Sequence, residues 1–191
     1  MYNRQNWCQC GHQQMNLGWH QPNMNMPAGY GAQMNTPYGQ PNMPYEQWMQ
    51  KGQGMKDHGG EPYVVNIEEV TKQNQNFRTA LWTGEHLQVT LMSIEPGDDI
   101  GLEMHPDVDQ FIRIEEGQGL VQMGDRQDRL DFNQYASDDF AIMVPAGKWH
   151  NLINTGHRPL KVYSIYAPPE HPFGTVHRTK AEALAAEKHH H

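Results

Sequence analysis

The sequence predicts an all-β sandwich or barrel carrying a disordered N-terminal tail, and three observations predict it. From residue 61 onward, short apolar runs follow one another at close spacing, separated by turns rich in Gly, Pro and Asp. Several runs alternate apolar with polar residues, the period of a half-buried strand. Residues 1–60 differ sharply: they are crowded with Gln, Asn, Met, Gly, Pro and Tyr, and Leu17 is their only Val, Ile or Leu. Such a stretch cannot bury enough apolar area to offset the cost of ordering it, roughly 1–2 kcal/mol per residue for the backbone.

The first expected strand is 77–82 and the second 86–95, where Leu87, Val89 and Leu91 alternate against polar neighbours. Glu95-Pro96-Gly97-Asp98-Asp99 is a turn. Strands are expected next over 100–105, 108–115 and 119–123, before Gly124-Asp125-Arg126 turns the chain again. Strands over 140–144, 149–154 and 160–167 complete the series. Only the end of the chain reads as helical, because Thr179 and Glu182 stand at capping-box spacing before an Ala-rich run. The expected organisation is a tail over 1–60, a β-barrel over 61–170 and an extension with a short helix over 171–188. His189 to His191 resemble the remainder of a purification tag.

A formal net charge of -8 argues against a general nucleic-acid surface, which needs clustered Lys and Arg. No apolar run is long enough to span a bilayer. The first residues lack the apolar core of a secretory signal, so a soluble cytoplasmic protein is expected. Cys8 and Cys10 are the only cysteines and cannot form a disulfide framework; beside His12 they read as two thiols on the tail. The Asn/Gln-rich, aromatic-dotted tail has a composition linked to self-association.

The chemistry concentrates in a few residues. Glu103 and His105 stand two apart, so on a strand both side chains leave one face. Gln110 belongs to the next expected strand, and His150 arrives from a distant one. A carboxylate, an amide oxygen and two imidazoles brought together would form a mixed oxygen and nitrogen site for a divalent ion.

The stretch Gly97-x5-Glu103-x-His105-x4-Gln110-x6-Gly117 resembles the first motif of the cupin superfamily, usually Gly-x5-His-x-His-x3–4-Glu-x6-Gly. Pro145-x-Gly147-x2-His150-x3-Asn154 fits the second motif, with Asp139 where its first glycine would stand. The resemblance covers residues 61 to about 170 and implies a single jelly-roll barrel, the double-stranded β-helix. It also implies one divalent metal (Zn, Mn, Fe, Ni or Co) held by Glu103, His105, Gln110 and His150, and a homodimer. Glu103 replaces the usual histidine and Gln110 the usual glutamate, so the ligand set keeps a single negative charge.

Small single-domain chains of this kind resemble those called mannose-6-phosphate isomerase-like, which implies a small oxygen-rich ligand: a sugar, a sugar phosphate or a carboxylic acid. Two alternatives stay open. The two-histidine, one-carboxylate subset permits an Fe(II)-dependent dioxygenase. The tail resembles those of bacterial spore-coat and other assembly proteins, which implies a cupin dimer used as a building block. His171 is expected in a solvent-facing turn, His86 and His157 on the surface, and Trp149 beside His150 as core or pocket wall. Ile112, Ile114, Leu102 and Phe111 are the candidates for lining the pocket.

Overall fold

The structure is a computed structural model that describes residues 55–187. The expected tail, Cys8, Cys10 and the terminal histidines lie outside the described residues. Residues 55–60, grouped with the tail above, hold a buried anchor. Asp57 accepts hydrogen bonds from Gly59 N, Thr83 Oγ1 and Gly174 N at 2.9, 2.6 and 2.9 Å.

Among the described residues, nine strands and two helices follow in the order α1 (Ile67–Gln73), β1 (Arg78–Thr83), β2 (Gln88–Ile94), β3 (Asp109–Glu116), β4 (Gln118–Gly124), β5 (Phe132–Ser137), β6 (Ala141–Val144), β7 (Trp149–Asn154), β8 (Leu160–Ala167), β9 (Val176–His177) and α2 (Lys180–Glu187). One sheet has the order β6-β3-β8-β2-β1-β9 and the other β5-β4-β7. All pairings are antiparallel. The sheets meet over a shared core of Ile94, Ile112, Ile114, Val121, Leu152, Leu160 and Val162, the jelly-roll solution to burying one apolar face per sheet.

The chain between β2 and β3 runs alongside β7 without becoming a regular strand. Gly97 N, Ile100 N and Glu103 N donate to Asn154 O, Leu152 O and His150 O, and His150 N returns a bond to Glu103 O at 2.9 Å. Gly101 sits at φ 97°, a left-handed backbone that breaks the strand expected over 100–105. At Asp139 φ is 71°, so this position needs the left-handed conformation that a glycine would adopt readily. Asp is among the few side chains that tolerate it, and its carboxylate accepts from Arg113 at 2.6 Å.

Further features depart from the sequence reading. Helix α1 was not expected; Asn66 caps it by accepting from Glu69 N at 3.2 Å, and Glu68 and Glu69 fill its first turn. Lys161 is buried and fastens this helix to the sheet, donating to Asn74 O and to Ser93 Oγ. Strand β5 was also missed, because as an edge strand it buries only Ala136 and lacks apolar alternation. Strand β2 alternates as expected in sequence but is not half-buried: both of its faces are covered. Gln88 and Thr90 have no exposed surface, whereas Leu87 is 36% exposed. The short strand β9 closes the large sheet at the β1 edge.

Asn154 ties the far end of the barrel together. Its amide donates to Ile94 O and Arg158 O, both at 2.8 Å, and its oxygen accepts from Gly156 N at 2.8 Å. Replacing it strands one buried and two half-buried backbone groups, so Asn154→Ala should cost roughly 1–3 kcal/mol. Urea denaturation checks this; a loss below about 0.5 kcal/mol would show that the bonds are dispensable.

Candidate metal centre

Two separate segments deliver the three converging donors. Glu103 and His105 come from the irregular stretch before β3, and His150 from β7. The mutual backbone bonds between Glu103 and His150 fix the two residues side by side. Gly147, at φ 77°, donates to His105 O at 2.7 Å and so holds the turn before β7 against the same stretch. One ligand atom from each of Glu103, His105 and His150 lies within 4.8 Å of the other two. Glu103 Oε1 is 3.5 Å from His105 Nε2 and 3.4 Å from His150 Nε2. These three residues are placed to hold a metal ion.

Each ring is turned by a bond on its far side. His150 Nδ1 lies 3.0 Å from Lys148 O, which makes that nitrogen the donor and leaves the Nε2 lone pair inward. His105 Nδ1 lies 3.1 Å from Glu170 Oε1. Such outer carbonyl and carboxylate partners are what orient metal-bound imidazoles. Gln110 stands on β3 with 3% exposure, paired in register with Tyr166, whose ring meets that of His105 edge-on at 5.7 Å.

Glu103 Oε1, His105 Nε2, Gln110 Oε1 and His150 Nε2 are all buried without a hydrogen-bond partner among the described residues. A buried polar atom left in that state costs about 1–3 kcal/mol. One cation shared among the Glu103, His105 and His150 atoms, which converge, removes the penalty from each, so these three residues fit a divalent ion.

The cupin domain profile matches residues 90–166. The uncharacterized protein YrkC of Bacillus subtilis (strain 168) is 67% identical over 133 residues, spanning 70% of this chain and 72% of its own length. The chain belongs to the cupin superfamily. L612 of Acanthamoeba polyphaga mimivirus is 41% identical over 115 residues, covering 60% of this chain and 70% of that protein. A Bacillus halodurans crystal structure superposes with a TM-score of 0.68 at 68% identity, covering 68% of this chain and 98% of that one.

Around the donors this cupin adds groups that sequence reasoning missed. Arg78, 1% exposed on β1, brings its guanidinium to 3.7 Å from Glu103 Oε2. Burial raises the Glu103 pKa, but the neighbouring His105, His150 and Arg78 outweigh it and hold the carboxyl well below the usual range. Glu170 lies on the loop after β8. Gln88 fixes that loop by pairing its whole amide with one backbone unit, Nε2 donating to His171 O at 2.8 Å and Oε1 accepting from His171 N at 2.9 Å. The same Nε2 reaches Thr83 Oγ1 at 2.9 Å, and Thr83 in turn reaches Asp57.

His171, expected in a solvent-facing turn, is instead half-buried against the Tyr166 ring at 5.0 Å. Its Nε2 is enclosed and unpartnered, and burial lowers its pKa to about 3, which keeps the ring neutral. His86 and His157 are exposed and Trp149 is half-buried. Ile112 and Ile114 face the core, while Leu102 is 38% exposed and Phe111 leans on Tyr163 at 6.1 Å.

Burial lowers the His105 pKa, but Glu103 and Glu170 override it and raise it to about 9. In the metal-free chain this folded-state value exceeds the ordinary unfolded value near 6.5. The resulting stability is complete below about pH 6.5 and is lost as pH rises through about 9. Melting temperatures of chelator-treated protein should therefore fall between those limits. His105→Gln should flatten the profile, and an unchanged slope would refute the linkage. Separately, Glu170→Ala should weaken metal affinity about 10–100-fold. Competition with a chromophoric chelator checks it, and unaltered affinity would remove Glu170 from the centre.

Proposed function

We propose that this cupin holds one divalent ion through Glu103 Oε1, His105 Nε2, Gln110 Oε1 and His150 Nε2, and that it binds or converts a small oxygen-rich ligand there. The observation that carries the reading is the set of four buried, unpartnered donor atoms contributed by three parts of the fold. The ligand class is a sugar, a sugar phosphate or a carboxylic acid. Zn, Mn, Fe, Ni and Co all suit imidazole, carboxylate and amide donors.

Four protein donors leave one or two positions of a five- or six-coordinate ion for water or ligand oxygens. When bound, the ion supplies Lewis acidity and lowers the pKa of coordinated water. The chain's own residues do the positioning. Glu103 provides the negative charge, Arg78 holds that carboxylate from behind, and Glu170 and Lys148 O keep both rings with Nε2 facing inward. A second reading is supported by the Glu103, His105 and His150 subset alone, which suits Fe(II) and a dioxygenase. Turnover that persists with zinc in the absence of oxygen favours the first; a strict need for iron with oxygen uptake favours the second.

Homodimer formation belongs to this proposal. Strands β5 and β6 end their sheets, and Phe132, Tyr135, Phe140 and Met143 on or beside them are exposed. Unpaired edges of that kind are normally covered. Chromatography with light scattering tests this, and a monomer at all concentrations would refute it.

Elemental analysis of the full chain, purified without nickel resin, should find about one divalent ion per chain. His105→Ala and His150→Ala should empty the site and lower the melting temperature, because an ion that binds only the native state stabilises it. Gln110→Glu should retain the ion at equal or higher affinity. Stoichiometric metal in the His105→Ala/His150→Ala double variant would overturn the assignment.

A further inference from the structure

Gln88 has no exposed surface, yet its side chain bonds to a loop and not to the barrel interior. Nε2 gives one N–H to His171 O at 2.8 Å and the other to Thr83 Oγ1 at 2.9 Å. Oε1 accepts from His171 N at 2.9 Å. The direction of each bond is fixed. Thr83 donates its hydroxyl proton to Asp57 Oδ2 at 2.6 Å, so toward Gln88 it accepts. A carbonyl at His171 also accepts only. An amide satisfies this pattern. A carboxylate in its place sets acceptor against acceptor at both His171 O and Thr83, and an apolar side chain leaves the enclosed groups stranded.

The loop held in this way carries Glu170. The peptide bond joining Glu170 to His171 supplies the N–H that Oε1 accepts, so the grip falls one residue from the carboxylate that reaches His105 Nδ1 at 3.1 Å. The Glu170 side chain is 30% exposed. Burial therefore does not place it, and a carboxylate with water beside it keeps several rotamers unless its backbone is fixed. A second contact runs beside the first. The His171 ring meets Tyr166 edge-on at 5.0 Å, and Tyr166 meets His105 edge-on at 5.7 Å. Tyr166 is the partner of Gln88 in the strand register. Gly174 N donates to Asp57 at 2.9 Å and ties down the far end of the loop.

We propose that Gln88 is a positioning residue of the metal centre: it fixes the loop that presents Glu170, and through Glu170 it sets the His105 ring with Nε2 toward Glu103 and His150. The inference rests on the metal reading above and adds to it a residue whose two N–H groups both go elsewhere.

The test uses the full chain with isotopically labelled histidine, metal-free and loaded with Zn(II). The His105 imidazole N–H that faces Glu170 should give a slowly exchanging proton resonance, identified by its loss in Glu170→Ala. Gln88→Met, close in length to the native side chain, should lose or broaden that resonance. It should also weaken zinc affinity about tenfold, by competition with a chromophoric chelator. The Gln88→Met/Glu170→Ala double variant should bind zinc no more weakly than Glu170→Ala alone, because both changes break the same link. Gln88→Glu should behave like Gln88→Met and carries the test if the latter does not fold. A purely structural role lowers the melting temperature but moves neither the resonance nor the affinity of the folded chain. Either readout unchanged in the Gln88 variants would overturn the proposal, as would losses that multiply in the double variant or no such resonance in wild type. If wild type takes up no zinc, the metal reading fails separately. The resonance of the metal-free chain then decides: its loss in Gln88→Met supports the positioning role, and its retention overturns it.

Discussion

A carboxylate buried between two imidazoles and a guanidinium is the constraint from which the rest of this structure follows. Glu103 cannot sit there unless positive charge or hydrogen-bond donors surround it, because an isolated buried carboxylate is strongly disfavoured. Arg78 supplies charge from β1, and His105 and His150 face the other oxygen. Neither ring nitrogen makes a good hydrogen bond to that oxygen in this geometry. The arrangement is satisfied by a cation at its centre, and the polar half of the barrel interior is organised around that requirement.

The barrel therefore divides into two halves of different character. Ile94, Ile114, Leu160 and Val162 fill one end with apolar side chains, and their burial supplies the folding drive. Gln88, Thr90, Gln110, Ser164 and Tyr166 occupy the other, on the same strands and the same inner face. Closing the sheets over polar groups costs stability. That cost is tolerable only because the apolar end and the Asn154 network hold the shell together.

The sequence exposed the donor cluster well and its surroundings poorly, for reasons that can be named. Glu103 and His105 are two apart, and Gly147 and His150 lie in a turn-and-strand pattern, so local spacing alone marks them. Arg78 and Glu170 lie far from them in the chain, and only the closed sheet brings them near; no local pattern announces either. Gln88 and Thr90 did carry a signal, since polar residues there alternate as regularly as Leu87, Val89 and Leu91. Alternation alone does not say which set faces inward, and α1, packed over the outer face, explains why Leu91 is buried as well. Strand β5 escaped because an edge strand with exposed residues on both faces has no reason to alternate. The capping signal of α1, Asn66 with Glu69, was present but introduced only two turns of helix.

The bonds of Asp57 have a mechanical meaning. That single carboxylate joins the chain at its point of entry to Thr83 and to Gly174, while Thr83 and the loop before Gly174 are both gripped by Gln88. Glu170 rides on that loop. A pull on the polypeptide at Met55 thus loads the same short relay that aims the His105 ring.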